Sequence, residues 1–294
     1  MLKDAARLLA YFAATLLFGA LAAPPLYWLA QWLTQQGIFT FLAQFDFEKF
    51  FHRALLVGAL VFLWPLIRSL KIRGWRDLSL APNPDRFRHV GIGFAIAAVP
   101  LLCFGGVILQ LGIYTLRGSV PLLPLLERTL SAVVVPFIEE PLFRGLILGI
   151  LLRACPPLVA ALTTSAFFSV LHFLKAPEQT TTSVTWLSGF VSIAHSTGQF
   201  QQPLLLLAGF TTLFFVGWIL ADARIRTRSL WLPIGLHAGW IFASAIFNKL
   251  ARREWEALPW LGRNLLVGLA PLGVALLSWM LLRVWLKYVE RKRT

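Results

Sequence analysis

The sequence predicts an all-α fold, a polytopic membrane bundle of about eight transmembrane helices. Three observations predict it. The 294-residue chain is 58% hydrophobic and only 14% charged, whereas a water-soluble domain carries about 25% charged residues. It has 12 Trp and 24 Phe, the residue class enriched where helices meet the bilayer interfaces. A spanning helix needs about 20 mostly apolar residues, and eight segments qualify: approximately 8–31, 53–70, 89–114, 129–152, 157–174, 203–222, 229–248 and 264–287.

The first segment mimics a secretory signal, with Lys3 and Arg7 ahead of an apolar run ending in Ala20–Ala23. Pro24 and Pro25 sit where a mature chain would begin and disfavour cleavage, so the segment is expected to be the first span. Two stretches between spans look interfacial. "FDFEKFFHR" (45–53) mixes aromatics with charge. "SVTWLSGFVSIAHSTGQF" (183–200) carries Trp186, Leu187, Phe190 and Val191, and is either a surface segment or a lid. His52 and His195 in these stretches, and His89 at a span edge, are expected to be solvated. Cys103 and Cys155 fall in or beside apolar runs and are expected to be buried filler, without a disulfide. No internal repeat appears.

Net charge is +14. In a soluble protein that would suggest nucleic acid. Here the basic residues cluster in short segments between apolar runs, so the expected partner is the anionic face of a lipid bilayer and not nucleic acid. Arg68, Lys71, Arg73, Arg76, Arg86 and Arg88 form one cluster, Arg224, Arg226 and Arg228 a second, and Arg283, Lys287, Arg291, Lys292 and Arg293 a third. With Lys3, Arg7 and Arg153 these put both termini in the cytoplasm, in the cell inner membrane. The loop with Lys249, Arg252, Arg253 and Arg263 argues the other way, diluted by Glu254 and Glu256. Lys175 also lies on the minority side.

The fourth segment holds three ionisable groups within "PFIEEPLFRG" (136–145). A charge at mid-bilayer costs at least about 2.5 kcal/mol on insertion scales, so these groups must pair or do chemistry. Glu140 and Arg144 are four apart and share a helix face, which predicts an ion pair. Glu139 points about 100° away from that face and takes no part in the pair, which suits it to act as a general base near neutral pH. Pro136 and Pro141 remove backbone donors, so the span should bend here and open locally to water. His172 ends the fifth span, one turn after Phe168, and His237 lies inside the seventh. One glutamate and two histidines on three separate spans predict a shared site.

These residues, in this order, resemble the CAAX protease and bacteriocin-processing (CPBP) family of intramembrane proteases. The family's Glu-Glu-x-x-x-Arg motif matches Glu139–Arg144, its Phe-x-x-x-His motif matches Phe168–His172, and its third motif begins at His237, after the lead-in Ser229-Leu230-Trp231, Pro233 and Leu236. The resemblance covers about residues 125–250, leaving 1–124 as spans without a recognised motif and 251–294 as a last span with a basic tail. It implies peptide-bond hydrolysis of a membrane protein or peptide substrate. Glu139 and His172 would activate water, His237 would stabilise the oxyanion, and Glu140 with Arg144 would fix the helix. Eukaryotic relatives act on prenylated CAAX proteins. Zinc is the alternative, since two His and two Glu are ligand types. The metal-free glutamate mechanism is favoured, because the spacing is not His-Glu-x-x-His and the Glu140–Arg144 pair would remove one ligand. One departure stands out. The family's third motif closes on Asn or Asp four residues after its histidine, and this chain has Ile241 there. Ser244, Trp240 or Asn248 could supply the missing donor. Otherwise the chain is a catalytically weak scaffold or partner-binding relative. A transporter is the third possibility, but only one Pro-rich charged span is visible where a transporter should show two.

Overall fold

Each of the eight apolar segments falls mostly on helix in the computed structural model, which describes residues 2–120, 122–173, 183–255, 257–262 and 264–291. Lys175, Glu256, Arg263, Lys292 and Arg293 lie outside the described residues. The helices run in order as α1 (Leu2–Gln35), α2 (Phe47–Ser69), α3 (Arg86–Gln110), α4 (Leu122–Glu140), α5 (Leu148–Leu151), α6 (Pro157–Phe173), α7 (Ser188–Ser196), α8 (Pro203–Leu205), α9 (Thr211–Thr227), α10 (Trp231–Leu250) and α11 (Leu269–Arg291). Wider π turns join α4 to α5 (Pro141–Ile147) and α8 to α9 (Leu206–Phe210). The chain is a multi-pass membrane protein with an all-helical bundle. Five of its helical stretches are individually long and apolar enough to cross a bilayer: Lys3–Gln35, Phe47–Ser69, Arg86–Gln110, Pro203–Thr227 and Leu269–Arg291. The helices that bear the motif residues are different. The α6 helix is shorter, while α4 and α10 carry the polar and proline residues that dilute their apolar character.

The chain divides into two compact units. The first comprises Met1–Arg73 and Leu171–Gln202. It is built on the α1–α2 hairpin, where Ala23, Phe47, Phe51 and Ala54 form a buried cluster. Stretch 45–53 is therefore not a surface loop. From Phe47 onward it is the first two turns of α2, because Phe47 and Phe51 lie one turn apart and both bury against α1. Stretch 183–200 contains α7, whose small face (Ser188, Gly189, Ser192, Ser196) is buried while Trp186, Leu187, Phe190 and Val191 stay exposed. A Cβ at Gly189 would come within 2.1 Å of the Ala20 carbonyl oxygen, so α7 touches the α1 backbone directly.

The second unit comprises Gly74–Val170 and Pro203–Thr294. Its central contact is between α3 and α10, which pack parallel. A Cβ at Gly235 would meet Val90 O at 2.2 Å, one at Gly239 would meet Phe94 O at 2.5 Å, and one at Gly93 would meet Leu232 O at 2.6 Å. Small residues four apart let two backbones approach in lipid, where burial of apolar surface offers no drive to associate. Beyond this contact the chain pairs β1 (Tyr114–Leu116) with β2 (Ala251–Arg253), antiparallel, Tyr114 opposite Arg253. His89 is not solvated. It is buried, its ring edge-on to Trp285 at 5.5 Å, because α11 covers that end of α3. Cys103 is not buried filler either. It sits on an outward face of α3, since the inward face is taken by Gly93, Ala97, Leu101 and Gly105. Cys155 is half-buried, its thiol donating to Leu151 O.

Candidate active site

Pro141 cannot donate an amide hydrogen to the preceding turn. The chain answers with the π segment Pro141–Ile147, closed where Leu148 N–H donates to Phe143 O, five residues back. Such wide turns recur at functional sites. Here the turn lies directly after Glu139 and Glu140 and contains Arg144.

Glu140 and Arg144 are both fully buried, and Arg144 Nη1 donates to Glu140 Oε1 at 2.9 Å. The guanidinium has two further supports. Its Nη2 donates to the carbonyl of Gly217 on α9 at 3.3 Å. Its plane lies over the Phe168 ring, 4.4 Å from the centroid, with Phe143 at 5.6 Å. Phe168 is thus the aromatic platform for the arginine, a use of the ring quadrupole that is worth most in desolvated surroundings. Removing either charge of such a pair leaves the other uncompensated, at a cost of about 3–5 kcal/mol. Gly217 makes the arrangement possible, since a Cβ there would meet Ser165 Cα at 3.1 Å.

His237 approaches from α10. The start of that helix is pinned: Leu230 N–H donates to Ser79 O at 3.0 Å, and Trp231 Nε1 donates to Ala81 O at 3.0 Å. His237 lies about 200° around the helix from Gly235, so the glycine face meets α3 while the imidazole faces α4. Its Nδ1 is 2.7 Å from Glu140 Oε1, and its Nε2 is 3.9 Å from Glu139 Oε2. The Phe168 ring stands edge-on to it at 6.0 Å. Glu139 keeps 27% of its side chain accessible while Glu140 keeps none, so one carboxylate is reachable and its neighbour is sealed.

Glu139, Glu140, Arg144, Phe168 and His237 therefore lie together in the second unit. His172 belongs to the first by the same division, near the exposed end of α6 and one turn beyond Phe168. Ser244 is buried on α10, two turns after His237 on the same face. Trp240 is fully buried, and Ile241 and Asn248 are half-buried. Three contributors escaped sequence reasoning: the Gly217 carbonyl, the Phe143 ring and the seating of the α10 glycines on α3. The Gly235/Gly239 spacing was the signal that could have found the last of these.

A metal would need donors that are not already engaged. Glu140 Oε1 is shared by Arg144 and His237 Nδ1. Among the described residues no group of three or more His, Cys, Asp or Glu side chains is placed to hold a metal ion.

Fold and site together define a polytopic helical membrane protein with a cluster of ionisable side chains built into its bundle. Residues 121–243 match the family model described as Rce1-like, type II CAAX prenyl endopeptidase Rce1-like, so over that segment the chain is similar to this CAAX-protease family. The match runs from α4 into α10 and includes Glu139, Glu140, Arg144, Phe168, His172 and His237, with Ser244 one residue beyond it. No curated protein and no solved structure matches the chain.

Proposed function

We propose that the protein is an intramembrane endopeptidase that hydrolyses peptide bonds of membrane-associated proteins without a metal. The observation that carries this is Glu139, accessible beside the sealed Glu140–Arg144–His237 chain, within the segment that matches the CAAX-protease family. Glu139, assisted by His172, takes a proton from a bound water. The hydroxide adds to the scissile carbonyl carbon, and the carbonyl oxygen becomes an oxyanion stabilised by His237, a contribution of about 3–4 kcal/mol per donor. Glu139 then returns its proton to the leaving amine nitrogen as the carbon–nitrogen bond breaks. Glu140 and Arg144 hold the broken helix. The site lies in the inner membrane of a chain with both termini cytoplasmic.

A second possibility has its own observation. Ile241 is aliphatic where the resembled family has a hydrogen-bonding residue, which favours a catalytically weak relative that binds membrane partners. One experiment separates the two: cleavage of a fluorogenic peptide library by detergent-purified protein, beside Glu139→Ala, with and without a strong chelator. Turnover should be chelator-insensitive and fall by roughly 10²–10⁴-fold in the variant. Turnover lost with chelator and restored by zinc would overturn the metal-free mechanism. Folded protein without turnover would favour the binding role.

A further inference from the structure

One oxygen of Glu140 serves two partners. Its Oε1 lies 2.9 Å from Arg144 Nη1 and 2.7 Å from His237 Nδ1. A carboxylate held by a guanidinium is ionised, and an ionised carboxylate only accepts hydrogen bonds. Arg144 has only donors. His237 Nδ1 must therefore carry a proton and donate it to Glu140. In a neutral imidazole that is the single ring proton, so Nε2, the nitrogen turned toward Glu139 Oε2 at 3.9 Å, presents a lone pair.

We infer that Glu140 is a positioning residue that sets the protonation pattern of the His237 ring, Nδ1–H toward Glu140 and Nε2 toward the reacting side. His237 then donates to an oxyanion only when Nε2 carries a second proton. What the ring does in catalysis rests on the endopeptidase proposal; which nitrogen carries the proton does not.

Three features keep the arrangement from relaxing. Arg144 is held over Phe168 and against the Gly217 carbonyl, so the oxygen it grips stays in place. The edge of Phe168 flanks the imidazole, hindering the ring flip that would exchange its two nitrogens. The backbone under His237 is fixed by Gly235 and Gly239 against α3. The pattern matches the general rule that a histidine's free nitrogen is chosen by the hydrogen bond its other nitrogen makes.

The test is a long-range ¹⁵N–¹H spectrum of protein labelled at histidine. The chain has only five histidines, and the His237 signals are those missing from His237→Gln. Nδ1 should be protonated, with its proton far downfield, as expected for a donor to a carboxylate. A bare Nδ1 beside a protonated Nε2 would overturn the inference without touching the endopeptidase proposal. In Glu140→Gln, which keeps an oxygen for Arg144, the Nδ1 proton should move upfield and turnover should fall by roughly 10²–10⁴-fold. A Glu140 that merely braced the helix would change the melting temperature and leave that resonance in place, which also overturns the inference. If Glu140→Gln does not fold, the wild-type spectrum alone decides.

Discussion

Two helix contacts in this protein are both made at glycines and yet differ in kind. In the α1–α2 hairpin, a Cβ at Gly19 would meet the Leu55 side chain at 2.4 Å, and one at Gly58 would meet the Phe18 ring at 2.8 Å. In the α3–α10 contact, the atoms in the way are backbone carbonyls at 2.2–2.6 Å. A leucine or phenylalanine side chain can turn aside. A carbonyl engaged in its own helix cannot, without moving the helix. The α10 helix must hold an imidazole within 2.7 Å of a carboxylate on another helix, and it is mounted backbone against backbone.

The contrast is broken most directly at Gly239. Gly239→Leu should cost about 3 kcal/mol or more and release His237 from Glu140, read as an early loss of monodisperse protein on heating in detergent. If the variant melts like wild type, the contact is softer than described. Next, Ile241→Asn sharpens the same point on the working face of α10. Because the helix is rigidly seated, an amide there acts as a second oxyanion donor, and turnover should rise by up to roughly 10²-fold, measured with the peptide library. Gly58→Ala in the hairpin should change stability by no more than about 1 kcal/mol, since the alanine's helix preference offsets the displaced Phe18 ring; a thermal melt checks it.

The smallest effect belongs outside both contacts, at Glu254. Hydrogen bonds from Thr115 and then Arg252 hold its carboxyl below its ordinary value of 4.5. A carboxyl with a depressed folded pKa stabilises above its unfolded pKa, and loses that contribution as pH falls through the folded one. The melting-temperature difference between wild type and Glu254→Gln should therefore be slight near neutral pH and disappear in acid. A difference that grew in acid would contradict the Thr115 and Arg252 bonds.

What was legible in the sequence was local. Hydropathy located the long helices, since each is a contiguous apolar run, but not α7, which lies in the 183–200 stretch between them. The four-residue spacing placed Glu140 and Arg144 on one face, and they meet at 2.9 Å. The onset of α2 was missed because charge and aromatics at 45–53 imitate an interface, while Phe47 and Phe51 find their burial only on α1. His89 was misjudged for the same reason, since Trp285, the ring that covers it, is far away in sequence. The Glu140–His237 bond joins residues 97 apart. No periodicity within one helix reports which nitrogen meets which oxygen across two, because that is decided by where α10 seats on α3.

That separation has a consequence during synthesis. At about 5–20 residues per second, the 97 residues between Glu140 and His237 take about 5–20 s to be made. For that interval α4 and its π turn have left the ribosome, and Glu140 has Arg144 but not the imidazole that completes it. The nascent chain thus passes through a stage in which the helix bearing this ion pair has been made but is incompletely assembled. A ribosome that stalls before α10, or a premature stop there, leaves an unfinished polar cluster in the bilayer, the kind of feature by which membrane quality control can tell a half-made protein from a finished one.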